Sequence, residues 1–313
     1  MLKKLLFIVL MIFSSMVYAQ SSSNQPLTVV LDWVLNPDHA PLLVAEQQGY
    51  FQQQGLDVKL IQPSDPSDGP KLVAAKKADI AVTYQPQLLM QVDQGLPLVR
   101  FGSLVDSPLG CLVTLQWRSI HSLEDLKGKP IGYSAGGIDQ VMLETMLHQH
   151  GMNINDVTFI NVRYDLVQAL ISGNILAFTG GMRNVEPIEL EEAGYPVRVF
   201  YPEQNGFPTY EELIFVANRD KIDDPRLAKF LAALQKGVDY LAAHPQESWA
   251  AVIKLHPELN NPVNKASWLA TIHYFSKNPA ALDKAKYQAF AQFLQQQGVI
   301  KKVPDLQTYT VVK

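Results

Sequence analysis

The chain has 313 residues, 47% of them hydrophobic and 18% charged, with a formal net charge of -4. That apolar content excludes a disordered chain and suffices for one large core or two smaller ones. There is no basic excess or long Lys/Arg cluster to offer a phosphate backbone a positive stripe, so nucleic acid is not an expected partner.

The first twenty residues, MLKKLLFIVLMIFSSMVYAQ, carry Lys3 and Lys4, an apolar run from Leu5 to Phe13, and the small-residue site Val17-Tyr18-Ala19. This order predicts a secretory signal peptide over residues 1–19, cleaved before Gln20. The apolar run is shorter than the ~20 residues that span a bilayer, and polar QSSSNQ follows at once. The expected mature protein is therefore soluble and outside the cytoplasm. The single cysteine, Cys111, stands far from the cleavage site and has no partner, which argues against a lipid anchor or a disulfide. It reads as a buried structural thiol.

From Leu27 onward, strand-like runs alternate with helical patterns. LTVVLD precedes APLLVAEQQGYFQQQ, LDVKLIQ precedes SDGPKLVAAKKA, DIAVTY precedes PQLLMQVDQG, and LPLVRFGSLV follows. The rhythm restarts at KPIGYS and runs through IDQVMLETMLHQHG, VTFINV, DLVQALISGN, ILAFTGG and YPVRVFYP. Strands spaced by such helical patterns predict βαβ units and parallel sheets covered on both faces, an α/β fold. Two such blocks, joined near SPLGCLVTLQW, predict a two-lobed molecule. ELIFVANRD reads as a further strand, and residues 225–298 as mostly helical.

Open α/β sheets bind ligands beyond the carboxyl ends of their strands. The stretches 33–39, 83–87, 134–138 and 180–186 all follow predicted strands, so four loops can converge on one cleft. In the first, Trp33 offers a face for stacking, and Asn36 and His39 offer in-plane hydrogen bonds. Tyr84 adds a second aromatic with a polar tip. GYSAGGID places free backbone N–H groups before a helix, a setting for an anion or an oxygen-rich ligand, but lacks the spacing of a nucleotide fingerprint. In TGGMRNVEPIELEEAG, Asn184 and Glu186 follow two glycines that permit close backbone approach, while Glu189, Glu191 and Glu192 read as a solvated face. No His/Cys spacing suggests a metal.

The segments LDWVLNPDHAPLLVAEQQGYFQQQGLDV, GKPIGYSAGGID, GNILAFTGGMRNVEPIELEEAGYP and PTYEELIFVANRD together resemble the thiamine-pyrimidine precursor-binding proteins of ABC importers and their relative, thiamine pyrimidine synthase. The resemblance covers almost the whole mature chain. It implies a periplasmic-binding-protein fold of the second type with a ligand cleft between its lobes. The lobes are expected over residues 20–113 with the return of 213–313, and over 114–212. It implies a monomer in the periplasm that binds an aminopyrimidine of the formylaminopyrimidine or hydroxymethylpyrimidine type and passes it to a permease, with no cofactor and no catalytic residue. The implied ligand contacts are Trp33, Asn36 and His39 in the first loop, Tyr84, the Gly136-Gly137 turn, Asn184 with Glu186, and Tyr210 with Glu211.

Two alternatives stand beside this reading. The synthase would need a Schiff-base lysine and a reactive histidine in the loop after the third strand and a cysteine-rich segment further on. Here AVTYQPQLL has neither Lys nor His, Thr83 and Gln87 standing near those positions, and YPEQNGFPTYEEL has no Cys. A receptor for sulfonate- or nitrate-type anions would recruit Arg or Lys to the cleft, yet only Arg183 sits in a candidate loop, beside acidic Glu186.

Overall fold

The structure is a computed structural model that describes residues 24–134 and 137–313. The expected signal peptide and Gly136 lie outside the described residues.

The chain begins with β1 (Gln25–Val30), α1 (Ala40–Gln47), α2 (Tyr50–Gln53), β2 (Leu56–Ile61), α3 (Asp68–Ala74), β3 (Ile80–Thr83), α4 (Gln85–Asp93) and β4 (Leu98–Val105). It continues with β5 (Gly110–Leu115), β6 (Pro130–Tyr133), α5 (Ile138–His148), β7 (Thr158–Asn161), α6 (Leu166–Ser172), β8 (Ala177–Met182), α7 (Glu186–Glu192) and β9 (Val197–Phe200). Then come β10 (Leu213–Asn218), α8 (Pro225–Ala243), α9 (Pro245–Leu255), α10 (Pro262–Thr271) and α11 (Lys284–Gln296). The single helical pattern expected around APLLVAEQQGYFQQQ is two helices, because Gly49 takes the left-handed φ of 68° between them.

The described residues form two five-stranded sheets, β2-β1-β3-β10-β4 and β7-β6-β8-β5-β9. The expected all-parallel sheets are mixed. β10 runs antiparallel to β3 and β4, and β5 antiparallel to β8 and β9. The reason is connectivity. Each of these strands arrives straight from the other sheet without a crossover helix, and so enters reversed. β5 lies within the segment read as a joint, yet all six of its residues are buried.

Each sheet has cores on both faces. Along β10, Leu213, Phe215 and Ala217 join the cluster that holds Leu43 of α1 and Phe230 and Leu234 of α8. Ile214 and Val216 point the other way, into the cluster with Leu88 of α4 and Tyr287 and Phe290 of α11. That alternation buries every residue of a strand whose sequence is almost continuously apolar. Cys111 is buried, as expected, and its thiol lies 3.3 Å from the Gly181 carbonyl.

Candidate functional site

The carboxyl ends of β1, β3, β6 and β8 meet at one cleft. The first sheet's loops contribute Asp32, Trp33, Asn36, Asp38 and Tyr84. The second sheet's side contributes Ser134, Asp139, Met142, Gly180, Met182 and Glu186 among others, and Tyr210 and Glu212 come from the segment entering β10.

The loop after β1 is fixed by local hydrogen bonds. The Asn36 side chain accepts from the Asp38 N–H at 2.7 Å and caps the 3-10 turn Pro37–His39. The Asn36 N–H in turn donates to His39 Nδ1 at 3.3 Å, which leaves Nε2 to carry the proton and donate to Asp32 Oδ1 at 2.9 Å. The Tyr84 hydroxyl donates to Asp32 Oδ2 at 2.9 Å. Burial, with the Asp32 charge beside it, pushes the Tyr84 hydroxyl well above its ordinary range and keeps it a donor.

Three further carboxyl groups have raised pKa values. Glu186 opens α7, and its Oε2 accepts from the Met182 N–H at 2.6 Å. Burial nevertheless raises it to about 8, with the Asp38 and Glu189 charges adding to the push. Burial also raises Asp38 to about 6, although Asn184 Nδ2 donates to its Oδ1. Glu212 Oε2 accepts from the N–H groups of Leu109 and Gly110 and from the Tyr210 hydroxyl, the last at 2.8 Å. Burial still lifts Glu212 to about 6. In each case the cost of desolvating a charge outweighs the neutral donors around it. Asp139, at the start of α5, accepts from the Ser134 N–H at 3.0 Å and lies against Gly180. Gly180 has a φ of 82°, and a Cβ there would come within 2.4 Å of Asp139 Oδ1, so glycine is required.

Of the residues expected at the ligand, Trp33, Asn36, Tyr84, Glu186 and Tyr210 line the cleft together. His39 is fully buried behind Asp32. Asn184 is also behind the wall. Its amide ties Asp38 to Thr271, from α10, at 2.6 Å to the hydroxyl. Gly137 precedes α5 with a φ of 91° and packs against Met90. Glu211 faces away into the first-sheet core, where it pairs with Arg100 at 3.3 Å and accepts from Ser103 and Tyr287. The extended backbone explains this placement. Tyr210 and Glu212 share one side and Glu211 takes the other. Asp32, Asp38, Asp139 and Glu212 are lining residues that the sequence reading does not assign, although the first two stand inside the stretch it singles out.

Arg183 does not line the cleft. Its guanidinium binds the Glu203 carboxylate at 2.7 and 2.9 Å, donates to the carbonyls of Leu109 and Gly110, and lies over the Tyr201 ring. Thr83 and Gln87 line an adjoining chamber with Asp65, Ser67, Gln91 and Arg163, separated from the cleft by the shared Tyr84 and Ser134.

The family model described as NMT1/THI5 like matches residues 36–248. A Haemophilus influenzae protein named as a thiamine biosynthesis protein is 44% identical over 292 residues, covering 93% of each chain. A formylaminopyrimidine-binding protein of Halalkalibacterium halodurans is 31% identical over 75% of this chain and 72% of its own. The 4-amino-5-hydroxymethyl-2-methylpyrimidine phosphate synthase of Uromyces fabae is 29% identical over 82% of this chain and 78% of its own. Among solved structures, the alkanesulfonate-binding protein of Xanthomonas axonopodis pv. citri superposes with a TM-score of 0.73 at 15% identity, covering 91% of this chain and 98% of that one. At that identity the likeness shows the fold alone, and the fold is that of the periplasmic binding proteins.

Proposed function

Because the chain belongs to the NMT1/THI5-like family, we propose that it is the substrate-binding component of an ABC importer, a periplasmic monomer that captures a thiamine-precursor pyrimidine and delivers it to a permease. The formylaminopyrimidine-binding relative supports the ligand class, and the N-terminal pattern of residues 1–19 supports export. The two sheets support two lobes that close on the ligand by a hinge motion, with the expected bounds of residues 20–113 with 213–313 and residues 114–212 shifted at the first crossing, because all of β5 belongs to the second sheet and the chain passes over at 106–109.

The observation that carries this reading is the pairing of aromatic walls with a carboxylate edge. Trp33, Tyr84 and Tyr210 line the cleft as aromatic residues, and Glu186 lines it with them as the acceptor proposed for an exocyclic amine. An aminopyrimidine has flat faces and an amine on its edge, so it matches both.

The synthase-named relatives are the reason to weigh an enzyme. The loop AVTYQPQLL holds neither the lysine nor the histidine that the synthase resemblance calls for; Thr83 and Gln87 stand near those positions and line the neighbouring chamber, so the non-catalytic reading is favoured. An anion receptor is disfavoured because Arg183 is engaged with Glu203 while carboxylates line the cleft.

Calorimetric titration of wild type and Glu186→Gln with an aminomethylpyrimidine and with a sulfonate tests the proposal. A charge-assisted hydrogen bond is worth on the order of 1.5–3 kcal/mol, so pyrimidine affinity should fall roughly ten-fold or more in the variant. Tighter binding of the sulfonate than of the pyrimidine by wild type would sink the proposed function.

A further inference from the structure

Asp32, Asp38, Asp139, Glu186 and Glu212 all line one cleft. Asp32 is engaged on both oxygens, by His39 and Tyr84. Asp38, Glu186 and Glu212 differ, because each gathers its hydrogen bonds on one oxygen. Asn184 and Thr271 donate to Asp38 Oδ1, Met182 to Glu186 Oε2, and Leu109, Gly110 and Tyr210 to Glu212 Oε2. The second oxygens of these three groups receive no hydrogen bond from any other described residue. Arg183, the basic side chain nearest Glu186 in sequence, is held by Glu203 outside the cleft.

An ionised carboxylate oxygen only accepts, so a ligand that satisfies several of them must bring several N–H or O–H donors. Enclosing that many carboxylates also costs far less if the ligand brings positive charge. We propose that the cleft takes its ligand as a planar amidinium-type cation, which for a 4-aminopyrimidine is the ring-protonated form, its ring N–H and exocyclic amine forming one fork of donors toward Glu186. The pyrimidine identity rests on the function proposed above, whereas the amidinium class stands on the cleft alone.

Glu186 supplies the proton. Its carboxyl faces Asp38 from the loop after β1, Glu189 on its own helix and Cys111 on β5, none of which stabilises an anion. Arg198 of β9 is turned to the Ile120 carbonyl and His121, and Lys265 of α10 is exposed. Burial thus holds a proton on Glu186 up to about pH 8 in the ligand-free protein. When a neutral aminopyrimidine enters, the carboxyl O–H bond breaks, a ring N–H bond forms, and a carboxylate–pyrimidinium pair results. No net proton is exchanged with solvent near neutrality, while in alkaline solution the complex must take one up. A permanently charged amidinium arrives with its own proton and displaces the one on Glu186.

Titration of the full chain with benzamidinium and with 4-amino-5-hydroxymethyl-2-methylpyrimidine, in buffers of different ionisation enthalpy, tests this. Benzamidinium should bind near pH 7 with release of about one proton, and the aminopyrimidine should take up about one proton near pH 9 but almost none near pH 7. The ultraviolet spectrum of the bound aminopyrimidine near pH 8 should be that of the ring-protonated form, a readout that needs no variant. Glu186→Gln should abolish the proton release and weaken benzamidinium by about ten-fold or more. A bound aminopyrimidine with a neutral spectrum and no proton uptake near pH 9 overturns the inference and leaves the pyrimidine reading standing. Benzamidinium binding without aminopyrimidine binding supports the amidinium class and sinks the pyrimidine reading, and failure of both ligands to bind overturns both.

Discussion

Trp33 and Tyr164 meet ring to ring, their centroids 4.5 Å apart and their planes tilted by 60°. Trp33 follows β1 of the first sheet, and Tyr164 follows β7 of the second. The Tyr164 hydroxyl also donates to the Pro63 carbonyl beyond β2 at 3.3 Å, so one side chain holds the opposite half at two points.

Trp33→Ala should weaken aminopyrimidine binding by about 1–3 kcal/mol, the scale of aromatic stacking on bases. Tyr164→Ala, which removes the clasp but no lining residue, should cost about 0.5–1.5 kcal/mol, mostly as faster release. Calorimetry combined with stopped-flow dissociation separates the two. An unchanged release rate in Tyr164→Ala would count against its part in closure.

The Asn184 amide, which follows β8 of the second sheet, donates to both Asp38 and Thr271 on the first-sheet side and so ties the two halves together. Asn184→Ala should leave Asp38 with only the Thr271 hydroxyl, 3.5 Å away, as a side-chain donor. The expected cost is about 1–3 kcal/mol, because a buried acceptor loses its donor. Urea denaturation should report the lost stability, and small-angle scattering should report a more open ligand-free molecule. Identical scattering curves would contradict a role in holding the halves together.

Glu211 and Glu212 are neighbours with opposite duties. Glu211→Gln would leave fully buried Arg100 without its counter-ion, and removing one partner of a buried pair costs about 3–5 kcal/mol. Ligand affinity of the folded variant should be unchanged. Glu212→Gln should instead lower aminopyrimidine affinity about ten-fold, as expected for loss of a charged acceptor. Melting curves and titrations on both variants check the contrast, and the reverse pattern would refute it.

The raised pKa of Glu186 gives stability a pH dependence of definite sign. Its pKa is about 8 in the folded protein against an ordinary 4.5, so between those values the folded state binds more protons than the unfolded one. Its contribution is therefore full below about pH 4.5, falls as pH rises, and is gone above about pH 8, with a slope of at most about 1.4 kcal/mol per pH unit. Ligand-free Glu186→Gln should lack this component. Melting temperatures of both proteins between pH 5 and 9 should diverge toward alkaline pH, the wild type falling further, and parallel curves would contradict the assignment.

The four loops were legible in the sequence because strand ends are marked by the change from apolar runs to Trp33, Tyr84, Ser134 and the Gly180-Gly181 pair with polar residues following. Which residues of a loop face inward was less so. Glu211 and Glu212 have the same chemistry, and only the orientation of the extended backbone entering β10 decides between them. Asp139 depends on Gly180, forty-one positions away, and nothing local to either residue signals the contact. β5 escaped because GCLVTL is short and wholly buried, with neither polar alternation nor a helical period to reveal it.

β5 and β10 each cross directly from one sheet into the interior of the other, at 106–109 and 201–212. A single strap would leave the halves free to swivel and slide, whereas two straps act as paired pins on a door. They suppress twist and translation and leave mainly one angle to vary. In the hinge closure proposed above, Glu186 would therefore return to the same place in the cleft each time, and a ring would be gauged by fixed spacing without remoulding of the cleft around each occupant. In a receptor of the proposed kind, specificity would be set as much by the stiffness of these straps as by the residues that touch the ligand.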